Sequence, residues 1–141
     1  MDRTTRSLTI LAQSSCLGEA MEFVHSAARE AQLPEARINE LDLLLEEAVI
    51  NVCRYAYPAD RPGSLILTCT IPARGELYLE IADQGVAFDP LAAPAPDLTL
   101  DLKDRPIGGL GIFLLRDFAN SLSYRREDGW NRLTIGVSAG C

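Results

Sequence analysis

The chain has 141 residues, 48% of them hydrophobic and 23% charged, and a net charge of −7. This is the composition of a globular protein, and the length suits one domain over residues 1–141. The acidic balance argues against direct nucleic-acid binding, which needs a basic surface, and no apolar run approaches the ~18 residues of a membrane span.

The opening "MDRTTRSLTI" lacks the basic-then-apolar build of a signal peptide, so a cytoplasmic protein is expected. Residues 6–13 read as a first strand, and "SSCLGEAMEFVHSAAREAQ" follows with Leu17, Ala20, Met21, Val24, Ala28 and Ala31 at helical spacing. Pro34 opens a second helix, in which Ile38, Leu41, Leu45, Ala48, Val52 and Ala56 trace one apolar stripe. "YPADRPGS" ends it. Alternation of period two then runs through Leu65, Leu67, Cys69 and Ile71, and again through Leu77, Leu79 and Ile81, with a turn at "PARG" making a hairpin. Residues 89–107 are rich in proline and aspartate and too long for a plain connection, so they read as a lid or binding loop. "GGLGIFLLRDFAN" reads as a helix entered through glycines, and "SLSYRRE" and "NRLTIGV" close the chain as a second hairpin across "DG". Helices on one face of a mixed, mostly antiparallel sheet give an α+β two-layer sandwich. Cys16, Cys53, Cys69 and Cys141 form no C-x-x-C pair and there is one histidine, so reduced thiols are expected rather than zinc ligands or a disulfide framework.

Three stretches carry chemistry. In "LLLEEAVINVCRYAY", Glu47 and Asn51 lie four residues apart and share a helix face beside the apolar stripe. A carboxylate and an amide oxygen held together suit a Mg²⁺ ion, and the carboxylate could accept a proton from a hydroxyl; a solvated helix edge is the alternative. Asp83 continues the inward parity of Leu77, Leu79 and Ile81, so its carboxylate faces the core just before Gly85. Buried there it must be hydrogen-bonded. It either receives the amino group of a ligand that Gly85 lets approach, or caps its own turn in "DQG". Gly108, Gly109 and Gly111 at a helix entrance can aim backbone amides at an anion, with Lys103 and Arg105 just upstream, or they form a plain glycine-rich turn. The P-loop ending G-K-[ST] is missing.

In this order, E-x-x-x-N on a helix, D-x-G-x-A-F after a strand, a long loop and G-G-x-G opening a helix, the chain resembles the GHKL ATPases. The wording "EEAVINVCRYAY", "DQGVAFDP" and "GGLGIFLLRDFAN" is similar to the anti-sigma-factor serine/threonine kinases among them. That resemblance implies a Bergerat-type ATP-binding fold with a lid at about residues 89–107. It implies that Asn51 binds Mg²⁺ and that Glu47 acts as general base or orients the acceptor. Asp83 would take the adenine amino group, with Gly85 and Ala87 flanking the base. Gly108, Gly109, Leu110 and Gly111 would cradle the phosphates, and Thr134 would reach the adenine through water. The implied partners are a STAS-type anti-sigma-factor antagonist as phosphoacceptor, an RNA polymerase sigma factor as sequestered target, and a second copy in a homodimer. Tyr55 stands where relatives often carry histidine, and reads as packing. Histidine kinases fit less well: residues 89–107 hold no phenylalanine, and His25 is followed by Ser26 instead of an acidic residue. A regulatory module that binds nucleotide and sequesters a partner without phosphoryl transfer is the other function class.

Overall fold

The structure, a computed structural model, describes residues 4–91 and 116–140. In chain order they form β1 (Thr4–Leu11), a 3-10 turn (Ser14–Cys16), α1 (Leu17–Glu30), α2 (Glu35–Asn51) and a π turn (Val52–Ala56). Then come β2 (Ser64–Ile71), β3 (Glu76–Asp83), a 3-10 turn (Arg116–Phe118), β4 (Ser121–Glu127) and β5 (Trp130–Ser138). The strands make one five-stranded sheet in the order β1-β2-β3-β5-β4, and all its described pairings are antiparallel.

The period-two pattern sets which face of this sheet is buried. Leu8 pairs with Leu67, Leu67 with Ile81, Ile81 with Leu133 and Leu133 with Tyr124, so one inward row crosses all five strands. Against that face pack α1, through Ala20, Val24, Ala27 and Ala28, and α2, through Ile38, Leu41, Leu44, Leu45, Ala48 and Val49. The small residues of α1 allow its backbone a close approach, while the leucines of α2 fill the middle of the core. His25 on α1 and Asp42 on α2 are joined at 2.5 Å (Nε2 to Oδ1) across the helix pair. Among the described residues no helix is long and apolar enough to cross a membrane.

The turns follow local chemistry. At the end of α1 the Leu33 amide reaches back to the Ala28 carbonyl while Gln32 adopts φ 61°, a left-handed helix ending. In the β4–β5 hairpin Asp128 and Gly129 both have positive φ (52° and 84°), as a two-residue turn between twisted strands requires.

Two expectations are amended. The second helix was expected to run on to residue 57, but its α-helical bonding ends at Asn51 and the wider π turn takes over. The expected helix over 108–120 lies mostly outside the described residues, and its described part, Arg116–Phe118, is a 3-10 turn.

Candidate functional site

Where α2 meets the ends of β3 and β5, three buried polar residues gather: Asn51, Asp83 and Asn131, exposed by 4%, 4% and 5%. They line a cavity of about 40 Å³ together with Ala48, Val52, Tyr55, Ile81, Val86, Phe88 and Leu133.

Asn51 is the last α-helical residue of α2, so its side chain stands at the junction with the π turn. Such a turn shifts the backbone register and is frequent at functional sites. Both polar atoms of its amide, Oδ1 and Nδ2, are buried and make no hydrogen bond to a described residue. An unpartnered buried amide costs about 1–3 kcal/mol, which a structural role would not repay.

Asp83 sits at the end of β3, directly opposite Asn131 of β5 in the pairing register. Its Oδ1 accepts the Gly85 amide at 2.9 Å and the Asn131 Nδ2 at 2.9 Å. The turn-capping reading of this residue is met. Oδ1 caps the turn, and the side chain also lines the cavity.

The turn after Asp83 is pinned from several sides. Tyr57 receives the Gln84 amide at 2.7 Å on a hydroxyl that itself donates to the Ser64 carbonyl at 2.6 Å. Burial, with the nearby Asp83 adding to it against the Gln84 bond, pushes the Tyr57 hydroxyl above its usual pKa. The Val86 amide donates to the Ala56 carbonyl at 3.0 Å, and Arg126 Nη1 donates to the Gly85 carbonyl at 2.7 Å.

Gly85 has a different reason to be glycine from the one its motif suggests. A Cβ added there would lie 2.1 Å from the Ala56 carbonyl oxygen, so the close approach it permits is that of the π turn. Its neighbour Ala87 is exposed, whereas Val86 and Phe88 line the cavity. Glu47, one turn before Asn51, is half-buried with its Oε1 fully covered, and it does not line the cavity. Thr134 is not brought to the site. It alternates with the inward Leu133 and Ile135, pairs with Glu80 and Ser123, and so belongs to the sheet face turned away from the helices. Lys103, Arg105, Gly108, Gly109, Leu110 and Gly111 lie outside the described residues.

Sequence reasoning passed over Asn131, although it shares the inward parity of Leu133, Ile135 and Val137 that singled out Asp83 on its own strand. It also passed over Phe88, whose ring stacks on Tyr55 with centroids 5.7 Å apart, so Tyr55 is a wall of the cavity and not packing alone. The fit to a nucleotide's metal is tested by Asn51. Mg²⁺ keeps several waters and takes only one or two protein oxygens besides the phosphates, so one unsatisfied amide oxygen suits it. Among the described residues no cluster of three or more His, Cys, Asp or Glu offers another metal site.

Residues 10–137 match the histidine kinase-like ATPase domain. The chain is similar to the serine/threonine-protein kinase BtrW of Bordetella bronchiseptica, with 35% identity over 136 residues that cover 96% of this chain and 94% of that protein. It is also similar to the anti-sigma F factor of Clostridium acetobutylicum, with 24% identity over 122 residues, 86% of this chain and 84% of that one. Among solved structures, the RsbU and RsbW domains of Rv1364c from Mycobacterium tuberculosis align with a TM-score of 0.67 at 12% identity. They cover 96% of this chain and 32% of that one, a likeness of fold alone. A match over nearly the whole chain takes in α2, β3 and β5, the elements that build the cavity, and on it the chain belongs to the histidine kinase-like ATPase domain family.

Proposed function

We propose that this protein is an ATP-dependent anti-sigma factor and serine/threonine-protein kinase. It transfers the γ-phosphoryl group of ATP to a serine or threonine of a STAS-type antagonist, and it sequesters an RNA polymerase sigma factor. The observation that carries the reading is the convergence of Asn51, with a buried amide that satisfies nothing among the described residues, and the buried Asp83 on one cavity. Similarity to proteins named as serine/threonine kinase and anti-sigma factor supports the choice within the family.

In this reading Asp83 accepts a hydrogen bond from the amino group of adenine, and Asn51 offers its amide oxygen to the metal that accompanies the phosphates. Magnesium, when bound, neutralises charge on the phosphate oxygens. Glu47, one helical turn away, takes the proton of the acceptor hydroxyl. The hydroxyl oxygen bonds to the γ-phosphorus as the bond to the ADP oxygen breaks. Phosphoryl transfer needs positioning and charge stabilisation more than covalent help from the protein, so one base and one metal ligand suffice on this side of the site. Lys103, Arg105 and the glycines at 108, 109 and 111 supply the phosphate contacts, and two copies of the chain form a dimer.

The cavity of about 40 Å³ is far below the ~300–1,000 Å³ of ordinary ligand pockets, so the Tyr55–Phe88 contact has to part as the base enters. The test is transfer of label from γ-labelled ATP to candidate STAS antagonists, with the acceptor residue identified. Acid-stable phosphoserine or phosphothreonine is expected. Glu47→Gln should cut transfer by about 10²–10⁴-fold and spare nucleotide binding. Nucleotide binding without transfer to any antagonist would replace the kinase by a sequestering module, and phosphohistidine on the partner would point to a histidine kinase.

A further inference from the structure

Of the three buried polar side chains, Asn51 has both amide atoms without a described partner and Asp83 is bonded through Oδ1, whereas Asn131 spends its amide entirely on the protein. Its Nδ2 donates to Asp83 Oδ1 at 2.9 Å and to the Val86 carbonyl at 2.8 Å. Its Oδ1 accepts the Tyr124 hydroxyl at 2.6 Å and the Phe88 amide at 3.4 Å. Two donors and two lone pairs are all that a side-chain amide has, so nothing remains for a ligand.

The orientation of this amide is determined. The Phe88 N–H can only donate, and the Val86 carbonyl and Asp83 Oδ1, which already accepts the Gly85 amide, accept, so turning the amide over would set like against like at three of its four contacts. Oδ1 of Asp83 is held between Asn131 and the Gly85 amide, and that fixes the plane of the carboxylate. The same side chain grips Val86 and Phe88, which form another wall of the cavity.

We propose that Asn131 is the positioning residue for base selectivity: it holds Asp83 so that only Oδ2 meets the base, and thereby makes the site accept a 6-amino purine and reject a 6-oxo purine. This rests on the nucleotide reading above. An immobilised carboxylate oxygen accepts an N–H and repels a carbonyl oxygen. Freed from Asn131, the Asp83 carboxylate keeps only the Gly85 amide on Oδ1, so its plane can turn and Oδ2 no longer meets the base in one direction. Tyr124 acts one step further out, through the hydroxyl that donates to Asn131 Oδ1 and helps hold the amide in place.

The experiment is equilibrium binding of ATP and inosine triphosphate, both with Mg²⁺, to the wild type, Asn131→Ala and Tyr124→Phe. The wild type should prefer ATP by about ten- to a hundredfold, the range of one hydrogen bond to a charged group. In Asn131→Ala the ratio should fall towards one, mostly through lost ATP affinity, and in Tyr124→Phe it should fall part of the way. A merely structural Asn131 would weaken both nucleotides by the same factor, so an unchanged ratio in both variants overturns the proposal. If Asn131→Ala gives no cooperative unfolding transition, Tyr124→Phe alone decides: a lowered ratio supports the proposal and an unchanged ratio overturns it. A wild type that binds neither nucleotide overturns the underlying nucleotide reading and this assignment with it. A wild type that binds both equally overturns the selectivity alone.

Discussion

Replacing Asn51 by leucine separates a functional residue from a structural one, because the two roles predict opposite signs. The amide is 4% exposed, and neither Oδ1 nor Nδ2 is hydrogen-bonded to a described residue. An apolar side chain of similar size removes that desolvation cost and adds apolar contact with Ala48, Val52 and Ile81 around the cavity. Asn51→Leu should therefore stabilise the nucleotide-free protein by about 1–3 kcal/mol. For 141 residues the unfolding entropy is about 0.3 kcal/mol/K, so the midpoint should rise by about 3–10 °C. Binding should move the other way. Mg·ATP at about 100 times Kd stabilises a one-site protein by ~2.7 kcal/mol, a rise of about 9 °C for the wild type that the variant should lose. Thermal unfolding of both proteins with and without Mg·ATP reads all four values. A variant less stable than the wild type without nucleotide would mean that the amide has a structural partner. A variant that keeps the full nucleotide shift would mean that Asn51 holds nothing of the ligand. Either result refutes the reasoning.

Gly85→Ala should lower stability by about 1–3 kcal/mol or more in urea unfolding, because its Cβ would stand 2.1 Å from the rigid Ala56 carbonyl; unchanged stability would show that the π turn yields. Burial, with Cys16 adding to it, pushes the Cys53 thiol up to about 12, and burial, opposed by Arg6, does the same for Cys69. A thiol-specific disulfide reagent should then modify both slowly at neutral pH and about tenfold faster per pH unit as the thiolate fraction grows. Because these folded values lie above the ordinary 9.0, the stabilising contribution of the neutral thiols is complete below pH 9 and is lost between about pH 9 and 12. Stability constant across that window would contradict the assignment. Phe88→Ala removes the ring stacked on Tyr55 and should cost about 0.5–1.5 kcal/mol beyond lost area, while speeding nucleotide association in stopped flow if ring opening limits entry.

Patterns along the chain were enough for the layers of this fold and for Asp83. Helical spacing marked α1 and α2, and the two-residue period marked the inward faces of β2 and β3. It also aimed Asp83 inward, because side-chain parity in a strand is a local property. The same parity pointed at Asn131, but a polar residue beside a turn has many local explanations. Only the β3–β5 register, set across 48 residues of sequence, puts its amide on Asp83. Other features depend wholly on what meets in space. Glycine at 85 could equally serve a ligand or a packed backbone, and the answer is the Ala56 carbonyl of the π turn. Thr134 looked eligible by position in the chain, yet the pairing of β5 turns it to the face away from the helices. The residue types and their periods thus determined the architecture and the candidate acidic residue, since both follow from backbone geometry a few residues long. Which polar atoms were left unsatisfied, and which were spent on holding the others, was decided only by the tertiary structure, because hydrogen bonds in this site join elements far apart in the chain.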